Sequence, residues 1–89
     1  MELTYTPEAV EDLKFWKKSG NRNIQKKIEK LLLSIMDTPF EGIGKPEALK
    51  HELTGSWSRR IDKEHRLIYQ VYKNGDDIII EIQSLKGHY

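Results

Sequence analysis

The chain has 89 residues, 37% hydrophobic and 33% charged, with a net charge of +1 and no cysteine. A chain this short buries roughly two thirds of its unfolded surface, which leaves room for one core, so a single domain over residues 1–89 is expected. The cysteine count excludes a disulfide framework and a thiolate metal site, and with neither a signal-peptide pattern at Met1–Tyr5 nor an apolar run near the ~20 residues of a spanning helix, a cytoplasmic location is expected.

Leu3 and Tyr5 alternate with polar neighbours and suit a short edge strand. Thr6-Pro7-Glu8 then supplies an N-cap, a proline for the first helical position and an acid for the first turn. Ala9, Val10, Leu13 and Trp16 make an apolar stripe at helical spacing, and Gly20 is a stop. A second stripe, Ile24, Ile28, Leu31, Leu32 and Ile35, runs until Asp37-Thr38-Pro39 closes it. The short Ser19-Gly20-Asn21 connection predicts a helical hairpin with one shared apolar face. Phe40 to Pro46 contains Gly42, Gly44 and Pro46 and reads as a loop. Strand patterns follow at Leu49–Leu53, Trp57–Ile61, His65–Tyr72 and Asp77–Gln83, with Asn74-Gly75 as a type I′ hairpin signal. Ile78, Ile80 and Ile82 share one face of the last strand, which must bury at least one side against the helices. The expected fold is α+β: two N-terminal helices packed on one face of a mostly antiparallel, twisted sheet.

Such a sheet leaves its other face open, and function is sought there. Charge is segregated along the chain: residues 21–36 carry four Lys/Arg against one acid, and residues 44–66 carry six against four with His51 and His65 added. A basic face suits a phosphate partner, although helix lysines alone are more often a solvated surface. Arg66 faces the same way as Ile68 and Gln70, opposite Leu67, Tyr69 and Val71. Arg59 and Arg60 must point to opposite faces, so only one can join Arg66, and the sequence does not say which. Glu47 by itself reads as an exposed loop acid, and His51 and His65 as a satisfied strand histidine or a surface one. The chain ends Gly87-His88-Tyr89, where a histidine and a tyrosine have little structural purpose. No H-E-x-x-H, phosphate-loop or nucleophile-elbow motif is present, so metal, nucleotide and serine-hydrolase chemistries have no sequence support.

The composite run Thr38-Pro39-Phe40, Gly42, Gly44-Lys45-Pro46-Glu47, Leu49-Lys50-His51, Leu53, Gly55, Trp57-Ser58-Arg59-Arg60-Ile61 and Glu64-His65-Arg66-Leu67, with a His88-Tyr89 end, resembles the signature of the YoeB/Txe toxins of the RelE superfamily. Ser56 stands where relatives often carry an aromatic residue, and the stretch from Lys73 to Lys86 diverges freely. The resemblance implies a RelE-like, microbial-RNase-like fold and a ribosome-dependent mRNA endoribonuclease acting at the ribosomal A site. It implies Glu47 as general base, Arg66 as phosphate stabiliser and His88 as general acid, assisted by Lys50, Arg59 and Tyr89, with His51 and Arg60 as secondary candidates for substrate contact or site support. No metal and no cofactor enter. The implied partners are a YefM/Phd-type antitoxin, the ribosome with its mRNA, and promoter DNA only through the antitoxin complex; whether the free chain is a monomer or a homodimer is left open.

The chemistry of the residues agrees with that set. Cutting RNA by attack of its own 2′-OH needs a proton acceptor, a cation for the charge on phosphorus and a proton donor for the departing 5′-oxygen. A glutamate is a weak base at neutral pH, so much of the rate must come from positioning. The rival readings are a non-catalytic toxin of the same fold, similar to the ParE toxins that act on DNA gyrase, and a plain RNA-binding module. The first gives Glu47, Arg66 and His88 no joint role. The second would show exposed aromatics among the basic residues, whereas Trp57, Tyr69 and Tyr72 suit a core.

Overall fold

The computed structural model describes residues 1–87. Strand β1 (Glu2–Tyr5) leads into Thr6, whose hydroxyl accepts from the Ala9 N–H at 3.1 Å and caps α1 (Pro7–Ser19). Gly20 ends this helix with a left-handed φ of 72°. Asn21 Oδ1 then accepts from Ile24 N at 3.1 Å and opens α2 (Arg22–Asp37). The second helix buries Ile24, Ile28, Leu31 and Ile35 as expected, with Leu32 half-buried. In the first, Ala9 and Trp16 are buried, but Val10 is exposed. The small Ala9 is fully covered, while its neighbour is left exposed.

The remaining strands are β2 (Glu47–Ala48), β3 (Ser56–Arg60), β4 (Arg66–Asn74) and β5 (Asp77–Ser84), in spatial order β1-β5-β4-β3-β2. β1 runs parallel to β5, and every other pair is antiparallel. One face, bearing Leu3, Leu67, Tyr69, Ile80 and Ile82, closes with both helices into a common core. The α+β class and the helices on one side thus stand as expected.

Two local expectations are corrected. The segment Leu49–Leu53 is not a strand: only Glu47 and Ala48 pair with β3, against Ser58 and Trp57. After Leu49 N donates to Ser56 O at 2.9 Å the chain must turn back, so His51 takes a left-handed φ of 60° and His51–Leu53 coils into a 3-10 turn. At the β4–β5 hairpin Asn74 pairs with Asp77, which leaves Gly75-Asp76 as the turn; only Gly75 has positive φ, 66°. That is the requirement of a type II′ turn, not of a type I′ turn centred on Asn74-Gly75.

The loop from α2 to β2 is organised from inside by Arg59. Its guanidinium is 0% exposed and lies on the helix side of the sheet. Nε donates to Tyr69 Oη at 3.1 Å, Nη1 to Ser34 Oγ at 2.7 Å and Ile43 O at 3.1 Å, and Nη2 to Thr38 O at 2.7 Å and Glu41 O at 2.9 Å. All five N–H donors of the fork are therefore used, and no carboxylate is among the acceptors. Its charge is balanced by loop carbonyls and by the negative end of α2. Tyr69 accepts from Arg59 and donates to Pro39 O at 2.6 Å; burial pushes its phenol up, while the hydrogen bond and charge of Arg59 oppose the shift. Gly42 and Gly44 allow the close approach. A Cβ at Gly42 (φ 123°) would stand 2.5 Å from Ser34 Oγ, and one at Gly44 (φ 83°) 2.6 Å from Leu31 Cδ2.

Replacing Arg59 by leucine strands several buried acceptors and is expected to cost about 3 kcal/mol, or roughly 12–24 °C in Tm at this chain length. Arg59→Lys should recover only part of it, because an ammonium has three donors and no fork. Thermal denaturation followed by circular dichroism decides: a leucine variant melting within about 3 °C of the wild type would show that the network is dispensable.

Candidate active site

Strand alternation sorts the candidate residues by face. In β3, Arg59 points into the core and Arg60 out, so Arg60 is the one that joins Arg66 on the open side. The two are in direct cross-strand register, Arg60 opposite Arg66. Like charges so placed destabilise a sheet unless an anion lies between them. Among the described residues neither guanidinium has a carboxylate in ion-pair range.

The next row crosses the sheet as Glu47, Ser58, Ile68 and Ser84. Glu47, read from sequence as a loop acid, is exposed on β2 and shares the open face with the two arginines. Two strand spacings of ~4.8 Å and one two-residue step of ~6.7 Å separate the Cα atoms of Glu47 and Arg66 by roughly 12 Å. The floor between them is low, because Ser58 is small and buried. Beyond Ile68, β5 carries a bulge that leaves Gln83 unpaired in the ladder. Its amide is held by Ser56 Oγ, which donates to Oε1 at 2.8 Å, and by its own donation to Gln70 and Glu81 Oε1 at 3.2 Å each.

Lys50 and His51 are exposed and line, with Glu47, Ala48, Leu49 and Leu53, a shallow cavity of about 300 Å³. Arg60 lines a separate one of about 340 Å³ with Lys27, Lys45 and Lys63. Arg59 is a correction: with every donor engaged inside the protein, it has none to offer a substrate and supports the site through the loop instead. His88 and Tyr89 lie outside the described residues. Trp57 and Tyr69 pack in or against the core, and of the aromatics considered for base stacking only Tyr72 is exposed.

Sequence reasoning missed the environment of the chain end. Gly87 donates its N–H to His65 Nδ1 at 2.9 Å, and its carbonyl accepts from Arg66 N at 2.8 Å. Leu85 N donates to Asp12 Oδ2 at 2.8 Å, and Trp16 Nε1 donates to Leu85 O at 2.8 Å. The only hint in the sequence was that His65 directly precedes Arg66. Asp12 and Trp16, some seventy residues away, gave no sign.

A family model described as YoeB-like toxin of bacterial type II toxin-antitoxin system matches residues 5–89. The toxin YoeB of Escherichia coli strain K12 is 46% identical over 89 residues, covering 100% of both chains. The fold superimposes on a YoeB/ParE toxin from Agrobacterium tumefaciens with a TM-score of 0.92, at 38% identity and full coverage of both. A YoeB–YefM complex from Staphylococcus aureus gives a TM-score of 0.84 at 48% identity, covering 100% of this chain and 98% of that one. With that match across nearly the whole chain, the protein belongs to the YoeB-like toxins of bacterial type II toxin–antitoxin systems.

Proposed function

We propose that the protein is an endoribonuclease that cuts messenger RNA at the A site of the translating ribosome. The observation that carries this reading is the Arg60–Arg66 pair, two cations in register on an open face shared with Glu47. A phosphodiester relieves their repulsion, and roughly 12 Å between Glu47 and Arg66 Cα atoms is a span that the two side chains and one phosphate fill.

In the proposed reaction Glu47 takes the 2′-OH proton, the 2′-oxygen bonds to phosphorus, and the bond from phosphorus to the 5′-oxygen breaks. Arg66 meets the charge gathering on the phosphoryl oxygens with a bidentate fork, and Arg60 adds a second cation. His88 donates the proton to the 5′-oxygen, leaving a 2′,3′-cyclic phosphate and a 5′-hydroxyl. The chain reaches Gly87 on the side of Arg66 away from Glu47, as donor and acceptor on opposite sides of a phosphate require. Lys50, His51 and Tyr89 assist at substrate, and neither a metal nor a cofactor takes part.

The ribosome supplies the positioned mRNA that a weak base needs. The proposed inhibitor is a YefM-type antitoxin whose acidic C-terminal segment, disordered when free, covers the basic face. A relative 48% identical, seen as a YoeB–YefM complex, supports this. A second copy of the chain, and promoter DNA reached through the antitoxin, complete the partners.

A translating extract with mapping of mRNA 5′ ends tests the reading, since a gyrase inhibitor or a passive RNA binder leaves no new ends within codons. In that assay Arg66→Ala is expected to slow cleavage on the order of 10²–10³-fold with little change in Tm, and Arg66→Lys to recover part of the rate. Wild-type cutting by the alanine variant removes Arg66 from the mechanism. Glu47→Gln should slow cutting by roughly 10²–10⁴-fold while sedimentation still finds the protein on ribosomes. Parallel loss of binding and cutting would instead make Glu47 a docking residue. For the terminal pair, His88→Gln is expected to cost more than Tyr89→Phe, because imidazolium gives up a proton readily near pH 7. The reverse order of single-turnover rates would transfer the acid role to Tyr89.

A further inference from the structure

β5 ends at Ser84, yet the backbone does not fray after it. Leu85, Lys86 and Gly87 are held by side chains from α1 and by the residue just before β4. Leu85 is 0% exposed, its N–H donating to Asp12 and its carbonyl accepting from the Trp16 indole. Lys86 Nζ sits 3.9 Å over the Phe15 ring. Gly87, with φ 80°, donates to His65 Nδ1 at 2.9 Å and accepts from Arg66 N at 2.8 Å. The His65 ring stands edge-on to Trp16, centroids 4.8 Å apart at 82°. Thus one histidine joins the helix that clamps Leu85 to the strand that presents Arg66.

We propose that His65 is a positioning residue, a latch that accepts the Gly87 N–H and so fixes where the terminal residues start relative to Arg66. This rests on the nuclease reading above, in which the group beyond Gly87 donates the final proton. The latch needs an unprotonated Nδ1 with the ring proton on Nε2, the tautomer assigned from the Gly87 N–H. Glu64 Oε2 lies 3.9 Å from Nε2. A ring held only for packing would need no acceptor at Nδ1. Without His65 only the carbonyl of Gly87 would be fixed, by Arg66 N, and its N–H would be unheld; displacing a reacting group by ~1 Å can cost 10²-fold in rate.

Asparagine and glutamine at position 65 separate a latch from a packing role. Both lose the aromatic contact with Trp16, but the Asn oxygen stands near the Nδ1 position while the Gln amide lies one bond farther out. The full chain would be assayed for single-turnover mRNA cleavage on ribosomes, ribosome affinity, Tm and exchange of the Gly87 amide. His65→Gln is expected to lower the cleavage rate roughly 10- to 100-fold with unchanged ribosome affinity and to speed Gly87 exchange. His65→Asn should melt at the same temperature as His65→Gln, yet keep Gly87 protected and cut within about threefold of wild type. Should His65→Gln fold too poorly to assay, Asp12→Ala loosens the same segment from the α1 side and is expected to show the same loss of rate at constant affinity. Equal rates for the asparagine and glutamine variants, or unchanged Gly87 protection in His65→Gln, would overturn the latch whatever the protein cuts. A wild-type chain that cuts nothing, but whose Gly87 protection follows the residue at position 65, would overturn the nuclease reading and leave the anchor standing.

Discussion

A buried guanidinium with no carboxylate partner is costly unless every donor is satisfied, and around Arg59 every donor is. Three carbonyls of the 38–43 segment, a serine of α2 and a tyrosine of β4 converge on one planar group. They turn a glycine-containing loop with no ladder of its own into a fixed connection between helix and sheet edge. No buried side-chain nitrogen or oxygen among the described residues lacks a partner, so this polar centre sits inside the apolar core without an uncompensated group. The rest of the molecule depends on it, because the same loop delivers the chain to Glu47. Arg60 N donates to Gly44 O at 2.7 Å, which ties the loop's far end to β3 immediately before the short β2 pairing begins. Neighbouring arginines in β3 thereby divide their work by parity: the inward one builds the support, and the outward one lies opposite Arg66 on the solvent side.

The two sides of the sheet differ in what they ask of their residues. On the helix side, shape and burial rule, and large apolar groups fill the space with Arg59 as the polar exception. On the other side small serines keep the floor low, so long charged side chains at the rim can reach over it. The Ser56–Gln83–Gln70 chain of hydrogen bonds occupies the half of this face away from Arg66 and fixes the bulge. The bulge also shifts the register of β5, which brings the chain beyond Ser84 alongside the start of β4.

Much of this was legible in the chain. The Thr6-Pro7 start, the Gly20 stop and the α2 stripe are local signals, and local physics decided them. The face of Arg66 followed from period-two alternation in β4, which no bulge disturbs up to that point. What was hidden depended on partners far along the chain. Leu49–Leu53 has strand-forming residues, but the ladder runs out after Ala48 and the chain must turn. Arg59 and Arg60 are chemically identical in the sequence, and only the register of β3 against β4 tells them apart. Glu47 looked like a loop acid because a two-residue strand is too short to leave a pattern. The hold on Leu85 joins it to Asp12, 73 positions away, and Gly87 bonds His65 across 22, so no short window of sequence contains both sides of either.

That last feature, together with the parallel pairing of β1 with β5, has a bearing on how the molecule comes into being. Glu2 pairs with Ile79, and Thr6 donates to the Gln83 carbonyl across 77 positions of sequence. A nascent chain can form both helices early, because their turns need only near neighbours, but β1 has no strand to lie against until β5 has been made. α1 likewise has neither Leu85 nor its own edge of the sheet before then. Closure of the sheet therefore waits for β5, whereas the β3–β4 pairing that sets Arg60 opposite Arg66 needs only neighbouring strands.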